Sequence, residues 1–145
     1  MVERLGEILV RKQMLKADDL DRALQEQAES GQFLGEILIR LGYVTEEDIL
    51  KVLAEQFNTR FVFLKDVRLN PAVLKVVPKA LAWEHKVLPI EMRGGVLLIA
   101  MANPLDMWPI SVIQEKLTLV DVQFVLAKKD DIVEHLKKYY GPEVR

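Results

Sequence analysis

Residues 4–27 and 33–56 carry one pattern twice, with 28–32 as a five-residue spacer. RLGEILVR at 4–11 returns as FLGEILIR at 33–40. Ten of the 24 aligned positions are identical: Leu5/Leu34, Gly6/Gly35, Glu7/Glu36, Ile8/Ile37, Leu9/Leu38, Arg11/Arg40, Asp19/Asp48, Leu24/Leu53, Glu26/Glu55 and Gln27/Gln56. Within each copy the apolar residues recur at helical spacing: Leu5, Ile8 and Leu9 then Leu20, Ala23 and Leu24, and again Leu34, Ile37, Leu38 and Leu41 then Ile49, Val52 and Leu53. Two copies are too few for a solenoid. They predict two helix pairs that bury their apolar faces on each other with approximate twofold symmetry.

The helix signals agree. Asp18 and Asp19 open the second helix with charge that suits an N-terminus. Gly42 stops the third, and Thr45 is a good N-cap for the fourth. Asp48 stands three residues after Thr45, a shorter acid than the Glu or Gln that usually completes a capping box. Two recurrences ask for more than packing. Glycine near a helix start costs about 1 kcal/mol, so Gly6 and Gly35 imply that something approaches the backbone closely there. Gln27 and Gln56 end the second helix of each copy on its apolar side, where an amide needs a hydrogen-bond partner.

After Phe57 the texture changes. FVFL (61–64) reads as a short strand, Asn70-Pro71 opens a short helix to about 77, and Pro78 opens another over KALAWEH. Strands at 86–93 and 96–103 flank Gly94-Gly95, a two-residue hairpin signal. A helix over 105–116, a strand over 120–127 and a closing helix over 130–140 follow. The fold class is α+β: a helical tandem-repeat part, 1–57, then a small α/β sandwich, 58–145, with a three- to four-stranded sheet.

Composition narrows the function. A net charge of −2 leaves no cationic surplus for a run of phosphates, which argues against general DNA or RNA binding but allows a local anion site. Cysteine is absent, so disulfides and Cys-based zinc sites are excluded and a cytosolic setting fits. The opening MVERLGEILVRK lacks the apolar core of a signal peptide, and the apolar runs 96–102 and 108–113 are too short to span a bilayer. His85 and His135 lie far apart without ligand spacing, and no catalytic constellation or P-loop pattern occurs. Neither an enzyme nor a resident metal or cofactor is expected. Trp83 and Trp108 read as core or interface residues.

These residues together resemble the MshEN domain, the N-terminal domain of type II secretion and type IV pilus assembly ATPases of the GspE/MshE kind. The tandem motif with its spacer carries the resemblance most specifically, supported by KALAWEHKVLPIE, the Gly-Gly hairpin and AMANPLD (100–106). The resemblance implies a regulatory domain that binds cyclic di-GMP, each repeat holding half of the ligand. Arg4 would read a guanine edge, or meet phosphate in the same bidentate way. Leu5-Gly6 and Leu34-Gly35 would offer backbone amides. Leu20, Leu24, Ile49 and Leu53 would supply apolar surface for the purines, and Gln27 and Gln56 polar contacts. Asn103 would close over the base that Arg4 holds.

The implied partners are a secretion or pilus ATPase domain and its membrane-anchored platform protein, in the cytoplasm at the inner membrane. A module that docks the ATPase on that platform is the alternative function. The chain is then a piece of such an ATPase or a stand-alone regulator. Three positions depart from the family pattern. Phe33 replaces the leading Arg in the second copy; Gln13 replaces the Gly that Gly42 supplies, predicting a different end to the first helix; Asn103 stands where Asp is frequent.

Overall fold

The computed structural model describes residues 4–104, 108–118 and 120–143, the side chain of Trp108 excepted. The chain divides into two compact units, Met1–Gln56 and Phe57–Arg145. Among the described residues it forms seven α-helices and one three-stranded sheet.

The first unit holds α1 (Leu5–Arg11), α2 (Ala17–Ser30), α3 (Leu34–Arg40) and α4 (Glu46–Gln56). Its core is built from equivalent positions of the two copies: Ile8 and Leu9 with Ile37 and Leu38, and Ala23 with Val52. Burying a leucine or isoleucine side chain contributes roughly 1.5–3 kcal/mol, so the matched aliphatic positions hold the two pairs together. At α4, Asp48 N–H donates to Thr45 Oγ1 at 3.1 Å, and Thr45 N–H donates to Asp48 Oδ2 at 3.0 Å. The shorter acid therefore completes the capping box.

The two short helices end alike, against the expectation from Gln13. Gln13 takes φ 61° and Gly42 φ 78°, both left-handed. Gln13 N–H donates to Val10 O as Gly42 N–H does to Ile39 O, each at 3.0 Å. Met14 N–H then reaches Leu9 O, and Tyr43 N–H reaches Leu38 O. The packing of the helix pairs dictates the turn, and Gln13 adopts it at a steric cost that glycine does not carry.

The second unit holds α5 (Lys79–His85), β1 (Leu88–Arg93), β2 (Val96–Met101), α6 (Trp108–Lys116), β3 (Asp121–Leu126) and α7 (Lys129–Tyr140). The strands lie in the order β1-β2-β3, β1 antiparallel and β3 parallel to β2. Gly94 and Gly95 turn the hairpin with φ 57° and 80°, the two positive angles that a tight two-residue turn demands. Pro89 sits on edge strand β1, next to a shift of register between Pro89 and Glu91. Leu97 and Ile99 point to the covered face, where α7 packs through buried Ile132 and Leu136.

FVFL does not form a strand. Phe61 makes a single parallel bridge to Leu126, and the chain then turns into a 3-10 helix at Leu64–Asp66. Phe61 and Phe63 pack edge to face at 4.9 Å and Leu64 is buried. The apolar run thus fills space beside β3 instead of extending the sheet. The helix expected from Pro71 is a 3-10 helix, Pro71–Lys75, with Asn70 Oδ1 accepting from Ala72 N–H at 3.0 Å. Of the helix expected over 105–116, residues 105–107 lie outside the described residues, as do Leu105 and Asp106 of the NPLD turn. Trp83 is buried, its Nε1–H donating to Gly141 O at 3.1 Å.

Candidate ligand site

The two glycines are contact points between helices. A Cβ on Gly6 would stand 2.5 Å from Leu20 Cδ1 and 3.3 Å from Leu34 Cδ2. A Cβ on Gly35 would stand 3.3 Å from Ile49 Cγ2 and 3.7 Å from Leu5 Cδ2. Shifting by one repeat turns the first set of neighbours into the second, with Leu34 and Leu5 exchanged. That exchange is what a twofold axis between α1 and α3 produces. The close approach implied by each glycine is supplied at least in part by the protein's own leucine and isoleucine side chains.

The repeated charges follow the same rule. Arg40 Nη2 pairs with Glu26 Oε2, joining α3 to α2 of the other copy. Its symmetry mate is the pairing of Glu55 with the end of α1, where Lys12 Nζ lies 2.8 Å from Glu55 Oε2. The hydrogen bond from Lys12 and its charge, then the charge of Arg11, hold Glu55 below the ordinary carboxylate range, with desolvation opposing. α2 does not end at Gln27 as expected but runs on through Ser30, where Gly31 N–H closes the last turn on Gln27 O at 2.8 Å; Gln27 Nε2–H donates to Gln32 O at 3.2 Å. The apolar-side glutamine of the first copy thus has a local partner.

The site positions differ in how much surface they offer. Arg4 is exposed at the start of α1, its backbone N–H donating to Glu7 Oε2 at 3.4 Å. Leu5, Leu20, Gln27, Leu34, Gly35 and Gln56 are half-buried, and Gly6 is buried. Leu24 is 42% exposed while its repeat mate Leu53 is 5% exposed, as is Ile49. Phe33 is 50% exposed. Gly6, Leu20 and Leu34 meet in one cluster, Gly35, Ile49 and Leu5 in another. Asn103 is half-buried and belongs to the second unit.

Two open clefts are features that the sequence did not single out. One, about 560 Å³, lies at the ends of the short helices and is lined by Gln13, Met14, Gly42 and Tyr43 among others. The other, about 490 Å³, lies on the second unit's sheet, where Val96, Leu98 and Gln123 are flanked by Arg60, Glu91 and Arg93. Alternation in β2 marks Val96 and Leu98 as the face opposite Leu97 and Ile99, a signal that was available in the sequence. Among the described residues, no helix is long and apolar enough to cross a membrane, and no group of three or more His, Asp or Glu is placed to hold a metal ion.

The MshEN-domain family model matches residues 57–145. The type IV pilus assembly ATPase PilB of Myxococcus xanthus is 31% identical over 141 residues, which span 97% of this chain and 25% of that protein. The chain thus covers about a quarter of this relative's length. The solved structure of MshE with cdg (cyclic di-GMP) superposes with a TM-score of 0.89 at 29% identity, covering 95% of this chain and 99% of that one. The N-terminal domain of XpsE shares the fold, with a TM-score of 0.71 at 23% identity over 97% of this chain and all of that one. The family model lies over the second unit, whereas the superposition on MshE takes in the tandem repeat as well.

Proposed function

The chain belongs to the MshEN domain family, and from that premise we propose that it is a regulatory domain that binds cyclic di-GMP and reports its occupancy to a type IV pilus or type II secretion ATPase. The observation that carries this reading is the likeness over 95% of the chain to MshE, a protein solved with cyclic di-GMP. The twofold arrangement around Gly6 and Gly35 supports it, because a twofold receptor suits a twofold ligand.

In this reading Arg4 reads a guanine edge and exposed Leu24, with Leu20, lies against a purine. Leu5-Gly6 and Leu34-Gly35 open helices whose first-turn amides have no intrahelical acceptor. Ile49 and Leu53 back the second half from the core, and Gln27 and Gln56 add polar contacts. The parts 1–57 and 58–145 act as one domain, and ligand binding shifts its population of states. The domain works in the cytoplasm and reaches the inner membrane through its partners.

Calorimetric titration with cyclic di-GMP tests this. The expected outcome is a 1:1 complex, selective over GTP and the linear dinucleotide and weakened at least about tenfold by Arg4→Ala. Absence of heat at high ligand concentration with folded protein sinks it. The cleft beside Val96 and Leu98 favours a second reading, in which the domain docks on a membrane-anchored platform protein. Platform binding retained by Arg4→Ala and lost on Leu98→Arg supports docking; retention by both variants rejects it.

A further inference from the structure

Arg4 and Phe33 are equivalents in the fold as well as in the repeat. Each precedes a seven-residue helix in extended conformation, at φ −79°, ψ 154° for Arg4 and φ −64°, ψ 139° for Phe33. Both side chains are exposed. Around them the neighbours of Gly6 and Gly35 obey the twofold exchange of Leu34 and Leu5. Whatever a symmetric ligand presents to Arg4 in one half, it presents to Phe33 in the other.

The chemistry of the two side chains differs. A guanidinium donates hydrogen bonds in its plane and matches O6 and N7 of guanine, which adenine does not reproduce. A phenyl ring has no donor and no acceptor in its plane. It offers a face, and stacking tolerates any base because every base has a π-face. Phe33 is also the open apolar surface at the start of its half: it is 50% exposed, whereas Ile49 and Leu53, the matching apolar positions on α4, are 5% exposed each.

We propose that this domain reads one base of a cyclic dinucleotide and only stacks on the other: Arg4 selects guanine, and Phe33 takes the second purine by its face. The inference rests on the cyclic dinucleotide reading above and names its ligand class more closely. The class is a cyclic purine dinucleotide with at least one guanine.

The test is calorimetry of the full chain with three ligands: cyclic di-GMP, the mixed cyclic dinucleotide of one guanine and one adenine, and cyclic di-AMP. The mixed ligand binds within about threefold of cyclic di-GMP; about twofold of that is statistical, since it has one productive orientation and the symmetric ligand two. Cyclic di-AMP binds about ten- to hundredfold more weakly. Phe33→Ala weakens both guanine-containing ligands about tenfold or more, with an unchanged circular dichroism spectrum. Phe33→Arg restores edge reading, so that the mixed ligand falls about tenfold behind cyclic di-GMP. The proposal is overturned if the wild type binds cyclic di-GMP but the mixed ligand at least about tenfold more weakly, or if Phe33→Ala leaves cyclic di-GMP affinity unchanged. If none of the three ligands binds, the function proposed above fails and takes this inference with it.

Discussion

Leu20 occupies the space that a side chain on Gly6 would need, its Cδ1 only 2.5 Å from where a Cβ would stand. The helix-weakening glycine is thus explained by contact between α1 and α2. Gly6→Ala gains about 1 kcal/mol of helix propensity and meets an overpacking cost of about 1–3 kcal/mol. We expect a net loss of about 1 kcal/mol by urea denaturation. Gly35→Ala meets Ile49 Cγ2 at 3.3 Å, a milder conflict, and should lose less. A larger loss at Gly35 than at Gly6 contradicts this account.

Gln13 holds φ 61° at the position where Gly42 holds 78°. The left-handed conformation costs a residue with a Cβ about 1–2 kcal/mol, partly offset by the greater freedom glycine loses on folding. Gln13→Gly should therefore stabilise the protein by about 0.5–1 kcal/mol, seen as a rise in the denaturation midpoint with an unchanged slope. No gain would mean that the Gln13 side chain contributes as much as its backbone costs.

Glu55 has a folded-state pKa lowered by its hydrogen bond and charge contact with Lys12, and further by Arg11. A depressed carboxylate contributes stability that is present above its unfolded pKa and is lost as pH falls through the lowered folded value. Acidification should thus reduce the melting temperature, and Glu55→Gln should make that decline shallower. Melting curves from about pH 7 to about pH 3 measure both limbs. Parallel declines in the two proteins would exclude a role for this pair.

Tyr140 behaves in the opposite sense. Burial pushes its hydroxyl up to about 12, and the hydroxyl lies 2.9 Å from Leu74 O and 2.8 Å from Val77 O. Its contribution is complete below the unfolded value near 10 and is lost as pH rises through about 12. Tyr140→Phe removes the donor shared by two carbonyls and should cost about 1–3 kcal/mol. In an ultraviolet titration of the wild type, one tyrosine should ionise late; that late step should vanish in the variant.

Geometry dictated by a local pattern was legible in the sequence. The four helices of the first unit follow from aliphatic spacing, and the hairpin from Gly94-Gly95, whose positive φ angles little else adopts. Contacts set by distant partners were harder to read. FVFL has the composition of a strand, yet Leu126 accepts only one bridge from it before the backbone turns at Leu64–Asp66. Gln13 lacks the glycine that would announce its turn. The glycines were legible as places of close approach, but only the fold identifies Leu20 and Ile49 among the approaching groups. The unequal exposure of Leu24 and Leu53, identical letters in the repeat, depends on surroundings that the motif does not encode.

The crossed pairings have a consequence for how such a unit can arise. Arg40 meets Glu26, Lys12 meets Glu55, Leu34 leans on Gly6 and Leu5 on Gly35, so each copy completes the other. A single copy of the motif is self-complementary, the condition for an isologous homodimer. Two separate identical chains would have to place the same residue at both equivalent positions. Two copies joined in one chain escape that constraint, and here the two positions differ: arginine stands at 4 and phenylalanine at 33.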